Sequence, residues 1–370
     1  MKAQKILFLT LNTFSLTGGI EKVGRCVAKV LSDLQGHGDL SFKLFSLHDG
    51  NSDVNEKYLL NRYFKGFRGG AIKFGILSLL QGIRSNQVIL SHINLLLFAR
   101  LIKLFSPGTK IIVFAHGIEL WREIPKWKKI FLQQSVEIWA VSAFTASKLV
   151  EIHQLKADSI KILNNCLDPY FVLPKTFKKP THLLQRYNLT IDQPVLFTLT
   201  RLSSQETYKG YDNVLMSIPT LLNKFPNLHY ILAGKADHIE KERVQNLIDK
   251  LNLKMHVTLA GFIKDEELTN YFCLGDVFIM PSTQEGFGIV FIEAAACGTP
   301  CIGGNIDGSA DALLNGKLGS LIDPNKVEEI TMAIKDNLSH KKDPLALQEL
   351  CISHFSHAKY ADKLKKLILC

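Results

Sequence analysis

Short apolar runs recur along the chain, each closed by a polar or glycine-containing turn and followed by an apolar pattern of helical period. The first, Lys5–Leu11, leads through Asn12–Lys22 into a helical pattern at Val23, Val27, Val30, Leu31 and Leu34. Further strands are predicted at Val88–Leu90, ending in Ser91-His92, at Lys110–Ala115, ending in His116-Gly117, and at Ile138–Ser142 and Ile160–Asp168. The pattern restarts at Val195–Thr200, with a helix through Val214, Leu215, Ile218, Leu221 and Leu222, and continues with strands at Tyr230–Gly234, Val257–Ile263 and Val277–Met280. Runs that are apolar throughout suit a parallel sheet buried on both faces. Strand and helix in alternation predict an α/β protein. With 370 residues, two cores are expected rather than one. The boundaries predicted are an N-terminal domain over 1–172, a linker over 173–182 with two prolines and three lysines, a C-terminal domain over 183–354 and a basic amphipathic helix over 355–370.

The densest stretch is Pro281–Pro300. It follows the apolar run Val277–Met280, turns through Gly286, Phe287 and Gly288, and continues as the alanine-rich Ile289–Cys297, with Gly298 and Pro300 placed to stop a helix. The N-terminus of such a helix presents unpaired N–H groups and suits a phosphate. Glu285 lies in the turn and Glu293 inside the helix. Among Phe291, Ile292, Ala294 and Ala295 an ionised Glu293 needs hydrogen-bond donors. Sugar hydroxyls are such donors; a lysine partner or the surface would also satisfy it.

Charge divides the chain. Residues 1–190 hold 26 Lys and Arg against 12 Asp and Glu, a balance of +14, and residues 191–370 hold 18 against 22, or −4, which together return the net +10. A basic half fits nucleic acid, an anionic membrane or a phosphate-bearing acceptor. No nucleic-acid-binding motif is present, which argues against the first. Basic and apolar segments alternate over residues 60–105; they could lie on a membrane interface or be core faces with lysines reaching outward. Seven scattered cysteines, most in apolar runs, suit reduced thiols in a cytoplasmic compartment, peripheral on the membrane's inner face if the basic half docks there. They offer no zinc spacing. No run of eighteen apolar residues is present to span a bilayer.

Other candidates stand at strand ends. Gly18 and Gly19 occupy the first strand-to-helix turn, where a backbone can approach a ligand or simply turn. His116 ends a strand at the side where parallel sheets bind ligands. Arg201 leaves the strand at 195–200, and Lys209-Gly210 precedes the next helix; an arginine fork and a lysine point charge together can neutralise a diphosphate.

The block Pro281–Pro300 resembles the signature of retaining glycosyltransferases of family four: its E-x7-E spacing at Glu285 and Glu293, alanine-rich helix, Gly298 and Pro300 all match. The resemblance implies a GT-B fold, two Rossmann-like domains facing a central cleft, with the C-terminal helix crossing back to the first domain. It implies transfer of a hexose, with retention, from a UDP-, GDP- or ADP-hexose to a glycan or lipid-linked acceptor in surface polysaccharide or glycolipid assembly. In that family the equivalents of Arg201 and Lys209 hold the departing diphosphate without a metal, and no cofactor is implied. The equivalents of Glu285 and the Phe287–Ile289 backbone hold the sugar, Glu293 the ribose and Ile263 the base. His116 lies near the donor sugar, and Gly18 and Gly19 admit the diphosphate or the acceptor. Two departures stand out: Cys166 replaces a commoner glycine, and Asp307-Gly-Ser replaces Gly-Gly-x-x-Glu. A sugar-nucleotide 2-epimerase of the same fold and a non-catalytic sugar-nucleotide or membrane-surface binding protein are the alternatives.

Overall fold

The computed structural model describes residues 4–369. Two units are resolved, one formed by the chain up to Pro169 together with the segment from His357 onward, the other by Tyr170–Ser356.

In the first unit, strands β1 (Gln4–Thr10), β2 (Leu40–Ser46), β3 (Phe64–Gly66), β4 (Gln87–Leu90), β5 (Lys110–Ala115), β6 (Val136–Ala140) and β7 (Ile160–Ile162) form a sheet of order β3-β2-β1-β4-β5-β6-β7. Every neighbouring pair is parallel. The order reverses direction between β1 and β4, the place where such sheets open a crevice at their carboxyl ends. The connecting helices are α1 (Gly19–Gly36), α2 (Ala71–Gly82), α3 (Leu96–Phe105), α4 (Lys126–Ser135) and α5 (Ala143–His153). Residues Phe74, Ala99, Ile102, Phe131 and Leu149 of α2–α5 join Leu7, Leu9, Val88 and Leu90 in one core layer. The final helix, His357–Leu369, lies within this unit beside α1: Lys365 pairs with Asp39 at 2.8 Å, and the Gln87 amide donates to the Ile368 carbonyl at 2.7 Å.

The turn from β1 into α1 is shaped from a neighbouring strand. Asp49, fully buried, accepts the backbone N–H groups of Thr13 at 2.7 Å, Phe14 at 3.2 Å and Ser15 at 3.0 Å, and hydroxyls from Ser15 and Ser46. Burial raises this carboxyl, but the combined donors outweigh it and hold it below the ordinary aspartate range. Arg25 on α1 closes the other side, donating to the Thr13 and Leu16 carbonyls.

The second unit repeats the plan with β8 (Val195–Leu199), β9 (His229–Ala233), β10 (Val257–Gly261), β11 (Val277–Met280), β12 (Cys301–Gly304) and β13 (Gly319–Ile322), in the order β10-β9-β8-β11-β12-β13 and parallel throughout. Its helices are α6 (Thr181–Arg186), α7 (Tyr211–Leu222), α8 (His238–Lys250), α9 (Leu268–Leu274), α10 (Ile289–Ala296), α11 (Ser309–Ala312), α12 (Val327–Ser339) and α13 (Pro344–Phe355). Alternate strand residues point to opposite faces. Leu196, Tyr230, Ile279 and Ile302 therefore meet α7, α8 and α12 on one side. On the other, Phe197, Phe272, Phe278 and Phe291 stack edge to face, 5.5–5.9 Å apart, and seat α9 and α10.

Residues 173–180 have no regular structure and lie within this second unit. A Cβ at Gly298 would meet the Phe177 ring at 2.6 Å, and the Lys179 ammonium reaches Asp276 at 2.6 Å.

Candidate active site

In the second unit the strand order reverses between β8 and β11, so the loops leaving these two strands share one crevice edge. The β8 loop runs through Arg201 to Lys209 and enters α7 at Gly210; the β11 loop runs from Pro281 through Gly288 into α10. They touch backbone to backbone. The Thr283 N–H donates to the Tyr208 carbonyl at 3.0 Å, and a Cβ on Gly210 would stand 2.0 Å from the Pro281 oxygen. Gly210 also takes a φ of 78°, which only glycine adopts at low cost.

That contact brings Lys209 and Glu285 together although 76 residues separate them: Nζ and Oε2 are 2.6 Å apart, with both side chains largely buried. Burial alone would lower the lysine; the adjacent Glu285 carboxylate outweighs it, and the ammonium is held above the ordinary lysine range. The crevice therefore carries a fixed positive charge, neutralised by one carboxylate. Arg201 stands apart from this pair. It is exposed and forms an ion pair with Glu206 at 2.9 Å on the same β8 loop.

The loop carrying Glu285 is fastened from the far side by Asp307. Its Oδ2 accepts the Glu285 N–H at 2.7 Å and its Oδ1 the Ser309 N–H at 2.9 Å, while the Gly308 N–H donates to the Glu285 carbonyl at 2.7 Å. Gly308 permits this approach, since a Cβ there would lie 2.1 Å from the Gly286 oxygen. The sequence comparison left the Asp307-Gly-Ser loop without a role because it departs from the family pattern. The signal was present in the residue types: a short carboxylate followed by glycine and serine favours side-chain-to-backbone bonding.

Burial pushes the Asp307 carboxyl up to about 6, against the pull of the Ser309 and Glu285 amides. A carboxyl raised from 3.8 on folding favours the folded chain while it is protonated. Its contribution is fully present below the unfolded value and is lost as pH rises through about 6. The loss amounts to about 3 kcal/mol. Urea unfolding across this interval is expected to show a falling stability component that Asp307→Asn removes. An unchanged pH slope in the variant would contradict the assignment.

Helix α10 begins at Gly288, whose φ of 88° and 2.5 Å approach to the Phe291 ring exclude any side chain. It places Glu293 one turn inside, 1% exposed, on a helix whose residues from Phe291 to Ala296 are all buried. Phe287 is 2% exposed and stacks on Phe355, so its backbone alone is available to a ligand. Ile263, 4% exposed, follows β10 at the same carboxyl end of the sheet, and Gly286 and Ile289 flank the glycine turn. The second unit thus gathers Lys209, Glu285, Gly286, Phe287, Gly288, Ile289 and Glu293 at one place, with Arg201 and Ile263 on adjoining loops.

Gly18, Gly19 and His116 belong to the first unit. Gly18 is the extended residue capping α1, and a Cβ on Gly19 would meet nothing within 4 Å. Gly19 is therefore not demanded by the packing around it. His116 follows β5; its Nε2 donates to the Ser91 carbonyl at 2.9 Å and its ring stacks on Phe114. Packing around the ring pushes it down to about 4, so the imidazole is neutral near pH 7. Two further groups were not singled out as site residues in the sequence. Glu119 accepts the His116 backbone N–H at 2.6 Å and is raised by burial, and His92, at the end of β4, is lowered by burial. Among the described residues no group of three or more His, Cys, Asp or Glu side chains is placed to hold a metal.

The model of the family described as glycosyl transferases group 1 matches residues 184–351. The match spans most of the second unit and less than half of the chain. The matched segment contains Arg201, Lys209, Ile263, Glu285 and Glu293, whereas Gly18, Gly19 and His116 lie outside it. Among similar proteins, a GDP-mannose-dependent alpha-(1-6)-phosphatidylinositol monomannoside mannosyltransferase of Mycolicibacterium smegmatis is 32% identical over 170 residues, 44% of this chain and 43% of that protein. Its Mycobacterium tuberculosis counterpart is 26% identical over 251 residues, 65% of this chain and 63% of that protein. The chain therefore spans less than two thirds of these relatives. A glycosyltransferase structure from Rickettsia africae superposes with a TM-score of 0.80 at 19% identity, covering 100% of this chain and 98% of that one. HepE of Anabaena in complex with UDP-glucose gives 0.79 at 17% identity, covering 98% and 99%. These likenesses establish the GT-B fold, and the two parallel-sheet α/β domains expected from the strand and helix alternation are what the chain forms.

Proposed function

We propose that this protein is a retaining glycosyltransferase that moves a hexose from a nucleotide-diphosphate sugar to a glycan or glycolipid acceptor. The observation that carries the reading is the Lys209–Glu285 pair at the β8/β11 reversal, beside the N-terminus of α10. A diphosphate entering there meets a prepaid cation and the first N–H groups of a helix, and Arg201 can leave Glu206 to grip it. Charge developing on the departing diphosphate is then stabilised by fixed groups, the role a divalent metal fills elsewhere. Glu285 holds sugar hydroxyls together with the Phe287–Ile289 backbone, Glu293 the ribose, and the backbone near Ile263 the base. By analogy with the family, the acceptor attacks on the face the diphosphate leaves rather than through a double displacement. For Gly18, Gly19 and neutral His116 of the first unit, a part in donor or acceptor binding rests on the family resemblance alone. We assign the protein to the cytoplasm, where its six described, unpaired cysteines stay reduced.

Thermal-shift titration with UDP-, GDP- and ADP-hexoses tests this, beginning with GDP-mannose and UDP-glucose because similar proteins are named for or bound to them. A true donor at about a hundredfold excess over its Kd adds about 2.7 kcal/mol of stability, a rise of several degrees. Transfer to a lipid-linked acceptor in excess EDTA is the accompanying expectation; strict dependence on added metal would sink the Lys209 and Arg201 roles. Gly19→Ala supplies a second check. It is expected to leave stability within about 0.5 kcal/mol, since the new methyl meets no neighbour, yet to lower turnover if a ligand approaches that turn.

The epimerase reading gains one observation, the acid-base group His92, His116 and Glu119 in the first unit. Conversion of a donor's sugar without any acceptor would favour it over transfer.

A further inference from the structure

The first unit exposes apolar side chains in an organised way. On α2, Ile72, Ile76 and Leu80, with Ile83 just beyond, form one stripe at helical spacing, and Ile72 is 82% exposed. On α3, Leu97, Leu101 and Leu104 form another, with Leu104 72% exposed and Phe105 beside it at 66%. The two helices lie side by side. Phe74 and Phe98 stack at 4.9 Å, and a Cβ on Gly82 would enter the Ile102 side chain. Each buries its opposite face, Phe74 and Ser78 on one and Ala99 and Ile102 on the other. The core is thus already supplied, and both stripes face outward in the same layer. Helices α7, α8, α12 and α13 of the second unit expose one large apolar residue each: Met216, Ile239, Met332 and Leu345. Single residues of that kind are ordinary; two adjoining stripes are not.

Charge identifies the occupant. Residues 57–118 contain nine Lys and Arg and no Asp or Glu. Lys73, Arg84 and Arg100 are exposed on or beside these helices, and Arg100 packs over the Trp127 ring of α4 at 5.4 Å. We propose that the α2/α3 face docks on an anionic lipid bilayer, its apolar stripes entering the acyl boundary and its cations meeting the phosphate headgroups. A second copy of the chain suits the face poorly, because a two-fold contact would set the same acid-free, cationic surface against itself. This inference goes beyond the donor chemistry and stands on residues outside it. No helix among the described residues is long and apolar enough to cross a membrane, so attachment of this kind would be from one side.

The test is flotation of the full chain with vesicles of phosphatidylcholine alone and of equal parts phosphatidylcholine and phosphatidylglycerol. Binding to the anionic vesicles alone, weakened by salt, is expected. Ile76→Ser and Leu101→Ser should each reduce partitioning roughly tenfold. Lys73→Ala and Arg84→Ala should each reduce it about fivefold. The four variants are expected to keep the wild-type response to the nucleotide sugar, which shows that they are folded and separates this result from the donor reading. Absence of the wild-type chain from anionic vesicles, or undiminished binding by the serine variants, would overturn the proposal. So would a concentration-dependent dimer that Ile76→Ser abolishes, which would assign the face to a second copy.

Discussion

Lys209→Ala is expected to weaken nucleoside diphosphate binding by about 3 kcal/mol, roughly a hundredfold, while leaving binding of the bare nucleoside nearly unchanged. The difference follows from where the charge sits. Lys209 stands at the loop junction beside the α10 N-terminus, where phosphates would lie, and it is the most deeply placed cation there, because Arg201 is exposed and engaged with Glu206. Calorimetry with the diphosphate and the nucleoside measures both. Equal losses for the two ligands would show that the phosphates bind elsewhere. Removing the lysine also leaves Glu285 facing the ligand without its partner, so part of the effect could be repulsion. The double variant Lys209→Ala/Glu285→Gln separates the contributions: recovery would assign the loss to the carboxylate, and persistent weakness assigns it to the missing ammonium.

Gly210→Ala is expected to destabilise the protein by about 3 kcal/mol or more, combining a left-handed backbone with a steric clash. The methyl group would press into the Pro281 carbonyl, and neither backbone can yield without separating the two loops that hold Lys209 and Glu285 together. Urea denaturation should show a lower midpoint with an unchanged slope, and the residual folded protein should bind the diphosphate poorly. A midpoint shift below about 1 kcal/mol would mean that the loops are not locked at this contact.

The two-sheet architecture was legible because buried parallel strands are apolar from end to end. Val277–Met280 is predicted and observed with identical limits, and the helix after it differs by one residue. Leu40–Ser46 alternates Leu40, Phe42 and Leu44 with Ser41 and Lys43, and this half-exposed strand escaped a search for continuous apolar runs. Candidate site residues could be nominated where residue type carries the chemistry, as with Gly288, Glu293 and Lys209, which the fold places on the loops leaving β8 and β11 and in α10. A pairing across 76 positions could not be nominated in that way: the sequence offers Glu285 as a sugar ligand and Lys209 as a phosphate ligand, without their contact with each other. Asp307 and Asp49 escaped for a related reason. Each gathers backbone N–H groups, and although residue type marks a carboxylate suited to such bonding, it does not say which distant loop supplies the donors.

The tight seating of α10 constrains how the selectivity of the proposed donor site could be changed. Ala294, Ala295 and Ala296 are fully buried, and Gly288 and Phe291 fit against each other, so enlarging any of them overpacks the core and reducing Phe291 opens a cavity. Variation that survives folding must come from exposed side chains at the same end of the sheet, such as Phe262, Lys264, Gln284, Asn305 and Ile306. A library confined to those five positions, with Arg201 kept, would sample sugar and base selectivity while leaving the proposed phosphate ligands unchanged.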